Sequence, residues 1–166
     1  MYARLSGCGA RRCPGRSMSL NRAWIESHIP HQGGMCLLDE VVEHDADQVR
    51  CRSSTHRAAD YPLRRHGQLG IACGIEYAAQ AMAIHGALVH TQRPEAGFLA
   101  SVREVRLSAS RLDDIEADLY CHAAHVAGNA ASAMYRFTVS AGGRILLEGR
   151  ASVVLDATGL TRPRES

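Results

Sequence analysis

Apolar residues run almost without interruption from Ile71 to Val89, and Glu76 is the only Asp, Glu, Lys or Arg among them. A run mainly of alanine, with no face set aside for polar groups, predicts a helix over residues 71–90 that is buried on every side. The stretch is nominally long enough to cross a bilayer. Glu76, Gln80, His85, two glycines and the scarcity of leucine argue against that, so no membrane span is expected. Before the run, residues 21–27 read as a short helix anchored by Trp24 and Ile25 and stopped ahead of Pro30. Residues 37–43 and 48–55 then read as strands on either side of a polar turn. Residues 56–70 are a polar loop without periodicity.

After the run, residues 91–97 form a linker, and four strand-like segments follow at 98–108, 115–126, 131–140 and 145–156. In the first of these, Leu99, Val102 and Val105 mark buried positions with a bulge between them. Ala127-Gly128-Asn129-Ala130 and Ala141-Gly142-Gly143 are hairpin turns. One helix that is apolar all round needs a sheet to wrap it, and six strands in antiparallel hairpins can do so. The fold class expected is α+β, a curved antiparallel sheet around one long central helix.

Composition narrows the function more than the fold. The 166 residues suit one domain, with 46% hydrophobic and 22% charged residues, as is ordinary for a globular protein. A net charge of +2 with no long basic run makes nucleic acid a poor partner. Residues 1–17 are basic and rich in Gly and Arg, without the apolar core of a secretory signal. They read as a disordered leader or the product of a start codon placed too early, ahead of a domain over 18–157 and a frayed tail over 158–166. The six cysteines form no C-x-x-C pair, so reduced thiols in a cytoplasmic protein are expected and no metal.

Glu76 is the chemical centre of this pattern. A carboxylate buried without a partner costs several kcal/mol, so it is either paired or used. The alternative is a cap on the first helical turn, where the dipole favours an acid.

Two segments carry a resemblance to a known family. Residues 29–41, IPHQGGMCLLDEV, resemble the opening of bacterial dehydratases that act on 3-hydroxyacyl groups held by acyl carrier protein. Residues 74–88, GIEYAAQAMAIHGAL, are similar to their central helix, where a catalytic glutamate precedes an alanine-glutamine pair. The likeness spans about residues 20–156 and points to the dehydratase-like proteins of aryl-polyene and related polyketide-type clusters. It implies a hotdog fold, a homodimer or a heterodimer with a related hotdog dehydratase, and a substrate on the phosphopantetheine of acyl carrier protein. No further cofactor is implied. The glycine-histidine-phenylalanine-proline motif of the better-known fatty-acid dehydratases is absent, and Pro62 stands in its place.

On this resemblance Glu76 is a general acid and a histidine is its partner base. His56, at the end of the second strand, is placed first, with His66 and His31 as alternatives. Cys73 and Gly74 are expected to offer backbone N–H groups to the developing oxyanion, and Gln80, one turn on, to hold the Glu76 carboxyl. Arg64, Arg65, Arg103 and Arg106 are candidates for meeting an acidic carrier protein. A hotdog acyl-thioesterase, or a non-catalytic partner of an active dehydratase, are the rival functions.

Overall fold

The computed structural model describes residues 20–90 and 97–155. The expected leader, the tail and most of the linker lie outside the described residues. The elements are α1 (Arg22–His28), β1 (Glu40–His44), β2 (Gln48–Ser53), α2 (Gly74–Val89), β3 (Phe98–Leu107), β4 (Leu119–Gly128), β5 (Ser132–Ala141) and β6 (Arg144–Val154). The six strands form one sheet in the order β1-β2-β4-β5-β6-β3, every pair antiparallel. The α+β expectation is met: one long helix lies on a single antiparallel sheet.

The sheet's inner face is read by alternation. Tyr135, Phe137 and Val139 of β5, with Cys121 and Ala123 of β4, are buried beneath α2, while Arg136 and Met134 face out. Leu119, Leu146, Leu147, Ile25 and Leu37 complete the core around Tyr77, Ala78, Ala81 and Ile84 of the helix. Alanines let helix and sheet approach closely, and Gly74 takes this furthest. A Cβ on Gly74 would lie 2.7 Å from Leu147 Cδ2, inside contact distance. Gly74→Val should therefore destabilise the fold by about 1–3 kcal/mol, measurable as a lowered urea midpoint at unchanged slope.

Three differences from expectation have physical causes. Residues 36–39 are extended but outside the sheet, because Leu37 N–H donates to Gln80 Oε1 and its carbonyl accepts from Ser53 Oγ and Thr55 Oγ1. Ladder pairing consequently starts at Glu40. The helical run opens with a 3-10 turn, Ile71–Cys73, before α2 proper. Most telling, α2 is not buried all round. Ile75, Glu76, Ala79, Ala83, Gly86 and Ala87 remain half-exposed, a stripe at helical spacing along one side.

Strand β3 is a sheet edge, with irregular register at Leu99/Ser101 and Arg103/Arg106, and carries the expected bulging. Contrary to the sequence pattern, Leu99 and Val105 are exposed there, together with Phe98 and Leu107. No helix among the described residues is long and apolar enough to cross a membrane.

Candidate active site

Glu76 sits in the first turn of α2 with its side chain one-third exposed, on the open side of the helix. Its carboxyl has two neighbours. Gln80, one turn on, donates from Nε2 to Glu76 Oε1 at 3.2 Å. His31 Nε2 lies 3.1 Å from the same oxygen.

The glutamine is held from both ends, which gives the site its rigidity. Gln80 is fully buried; its Nε2 also donates to Met35 O at 2.7 Å, and its Oε1 accepts from Leu37 N–H at 2.9 Å. This amide therefore ties the 35–37 segment to α2 while presenting an N–H to Glu76 Oε1. The path that delivers His31 is anchored at its other end by Arg22. Its guanidinium reaches Cys36 O at 2.6 Å, Gly33 O at 3.1 Å and Asp39 Oδ1 at 3.3 Å. Gly33 turns the chain with a φ of +56°, a backbone conformation glycine adopts without strain. His31 follows Pro30 between these two fixtures and is itself about 70% buried, with Nδ1 enclosed and unbonded.

The other sequence candidates lie elsewhere. His56, placed first on sequence, is fully buried and turned from Glu76: its Nε2 bonds Ile115 O at 2.9 Å, and the charges acting on it are Arg57 and Asp118. The reason is local. The chain leaves β2 into a 3-10 turn, Thr55–Arg57, which directs the ring toward the segment leading to β4. His66 occupies the exposed tip of the turn closed by Arg65 and Gln68, at φ +52°, and makes no hydrogen bond among the described residues. Arg64 is not free for a carrier protein. Its guanidinium holds the loop together through Ala58 O, Gly67 O and His56 O, at 2.7, 2.6 and 3.0 Å.

Arg65 and Arg103 are exposed, and Arg106 reaches Glu148 at 3.5 Å across the outer face of the sheet. Cys73 is half-buried at the helix entry, and its N–H, expected to meet the oxyanion, instead donates to Gly70 O at 3.0 Å. Gly74 departs from the oxyanion expectation. Its N–H turns back onto the carbonyls of the preceding 3-10 turn, and its missing side chain faces the core. Close packing accounts for that glycine.

Sequence reasoning missed a tyrosine pair beside the site. Tyr77, adjacent to Glu76, is fully buried and bonded to Thr55 Oγ1 at 3.0 Å; Tyr61 from the 56–70 loop stacks on it at 6.1 Å. The only signal was Tyr61-Pro62 standing in an otherwise polar loop.

Two buried histidines give the fold a pH dependence of known sign. Burial lowers the pKa of His56 and of His85, the latter bonded to Tyr135 OH at 3.0 Å. Both rings titrate near pH 6.5 in the unfolded chain and lower in the native one, so the unfolded state binds more protons below that pH. Their contribution to stability is complete above about pH 6.5 and is lost as pH falls through the folded values. The urea midpoint should be lower at pH 5.5 than at 7.5, and His56→Gln should reduce that difference.

Comparison with known proteins decides the family. The family model described as ApeP-like, ApeP dehydratase, matches residues 23–160. The chain belongs to the ApeP-like dehydratase family. Among solved structures, the dehydratase heterocomplex ApeI:P from Xenorhabdus doucetiae superposes with a TM-score of 0.71 at 22% identity, covering 81% of this chain and 92% of that one. Zebra fish thioesterase superfamily member 2 gives 0.59 at 14% identity, over 81% of this chain and 95% of that chain. A mutant thioesterase from Pseudomonas aeruginosa gives 0.52 at 12%, over 69% and 78%. At these identities the structural neighbours establish the hotdog fold, and the family membership comes from the sequence model. Curated proteins give no match.

Proposed function

We propose that this ApeP-like chain contributes Glu76 to the dehydration of a 3-hydroxyacyl thioester carried by acyl carrier protein, within a heteromer with a second hotdog dehydratase. The observation that carries the reading is the pairing of Glu76 with His31 at 3.1 Å, on the open side of the helix. Elimination needs a base for the proton on C2 and an acid for the departing hydroxyl on C3. His31 takes the C2 proton as the C2–C3 double bond forms, and the Glu76 carboxyl protonates the hydroxyl, which leaves as water. The short contact between the two then returns the proton from His31 to Glu76. No oxidant, reductant or metal enters this balance.

Two surfaces support assembly with a second hotdog subunit. The half-exposed stripe Ile75, Ala79, Ala83 and Ala87 runs along α2, and the β3 edge carries Phe98 and Leu107, each over half exposed. Apolar surface of this extent and an unpaired strand edge both favour a partner. The ApeI:P structure is itself named a dehydratase heterocomplex. Arg65, Arg103 and Arg106, all exposed, are the remaining carrier-protein candidates.

The product discriminates this reading from its rivals. Given a hotdog partner and a 3-hydroxyacyl thioester on carrier protein, the complex should form the 2-enoyl thioester with the thiol still esterified. Free acid and free thiol would instead mark a thioesterase. Formation of enoyl product that needs nothing from this chain's Glu76 would mark a non-catalytic subunit.

A further inference from the structure

Gln80 can serve Glu76 in only one of its two amide orientations. An amide offers one acceptor oxygen and two N–H donors. With Oε1 accepting from Leu37 N–H and Nε2 donating to Met35 O, the second Nε2 proton meets Glu76 Oε1. A flipped amide would face donor against donor at Leu37 and acceptor against acceptor at Met35. The orientation therefore depends on where Leu37 stands.

Leu37 lies in the extended segment ahead of β1, outside the sheet, so no strand partner fixes it. Side chains hold this segment instead. Arg22 donates to Cys36 O at 2.6 Å, and the Asp39 carboxyl accepts from Ser54 N–H and Oγ at 2.7 and 2.8 Å. The Leu37 carbonyl accepts two hydroxyls, from fully buried Ser53 at 2.5 Å and half-buried Thr55 at 2.9 Å. A hydroxyl has one proton to donate, and both are committed to Leu37 O. Thr55 Oγ1 is then the acceptor for the Tyr77 hydroxyl at 3.0 Å, and Ser53 Oγ the acceptor for Thr55 N–H at 3.2 Å. Tyr77 follows Glu76 directly on α2. One hydroxyl thus ties the Leu37 backbone to the helical turn that carries Glu76.

We propose that Thr55, supported by Ser53, is a positioning residue that holds Leu37 so that the Gln80 amide keeps an N–H aimed at Glu76. The assignment rests on the site reading given above, in which Glu76 gives up a proton. It adds what keeps a donor facing the carboxylate that results. No bond to Thr55 forms or breaks in the reaction.

Thr55→Val keeps the branched shape and removes the hydroxyl, whereas Thr55→Ser keeps the hydroxyl. In the heteromer Thr55→Val should lower kcat about 10-fold, the worth of one hydrogen bond to a charged group, with KM little changed. Thr55→Ser should restore kcat. Amide hydrogen exchange, with this chain isotopically labelled in the heteromer, reads the clamp without turnover. Leu37 N–H should exchange roughly 10-fold faster in Thr55→Val, while Phe137 and Val139 of β5 report global stability and change less. Ser53→Ala, which removes the other donor on Leu37 O, should act in the same direction and decides the matter if Thr55→Val does not fold. A Leu37 rate unchanged in these variants, or raised only in step with Phe137 and Val139, overturns the clamp. Faster Leu37 exchange with undiminished kcat overturns the positioning role. Faster exchange in heteromers that form no enoyl product, wild type included, would uphold the clamp on Gln80 and reject the dehydratase reading instead.

Discussion

Replacing Glu76 with glutamine should slow formation of the 2-enoyl thioester by roughly 10²–10⁴-fold in the heteromer, the range for a removed general acid. The substitution preserves shape and the capacity to accept from Gln80, but an amide cannot hand a proton to the departing hydroxyl. Because Glu76 is one-third exposed, the exchange leaves no buried charge behind. Folding should be nearly unaffected, and a thermal midpoint close to wild type is the control. The His31 contact changes character at the same time, since an amide in place of the carboxyl cannot exchange a proton with the ring. Stopped-flow absorbance of the enoyl thioester measures the rate, and an unchanged rate would show that the acid comes from another residue.

Gln80→Leu should produce the largest loss of stability. The side chain is fully buried and simultaneously serves Leu37 N–H, Met35 O and Glu76 Oε1. A leucine of similar size fills the space but leaves one backbone donor and one backbone acceptor enclosed without partners. At about 1–3 kcal/mol for each, the loss is roughly 2–6 kcal/mol. For a chain of this size that is a fall of roughly 4–24 °C in the unfolding midpoint, readable by calorimetry. The same change releases the 35–37 segment from α2, so His31 loses its fixed approach to Glu76 and activity falls more than stability alone explains. Gln80→Glu is the sharper variant, because it keeps the acceptor for Leu37 and removes the donor that Met35 and Glu76 share.

Much of this site was legible from residues alone, and the part that was not has a clear cause. The 71–89 run, an acid inside it and the GIEYAAQ segment were enough to locate Glu76 and the helix that carries it. The β1–β2, β4–β5 and β5–β6 hairpins followed from turns and alternation, and the bulged third strand from the spacing of its apolar residues. The last four strands read as a meander, but β3 instead pairs with β6 at the sheet edge rather than with β4. The histidine was different. His31 and Glu76 are 45 positions apart, and their meeting depends on a non-strand segment steered by Arg22 and Gln80 through backbone carbonyls. Spacing in sequence carries no trace of such side-chain-to-backbone anchors. His56 looked better placed because it ends a strand, but the 3-10 turn that follows sends its ring to Ile115.

The open face of α2 was hidden for another reason. Alanine on every side gives no hydrophobic stripe to read, so a helix half-covered by its sheet looks the same as one wholly enclosed. The same uniformity concealed the surface on which a second subunit is proposed to sit.

The claim that His31 and Glu76 act as one proton-handling unit is tested most directly by a double-mutant cycle on kcat/KM for dehydration. The four heteromers would carry wild-type chain, His31→Gln, Glu76→Gln and both changes together. A unit predicts strong non-additivity, with the double variant no slower than the slower single variant. Losses that multiply, or a Glu76→Gln heteromer as fast as wild type, would contradict it.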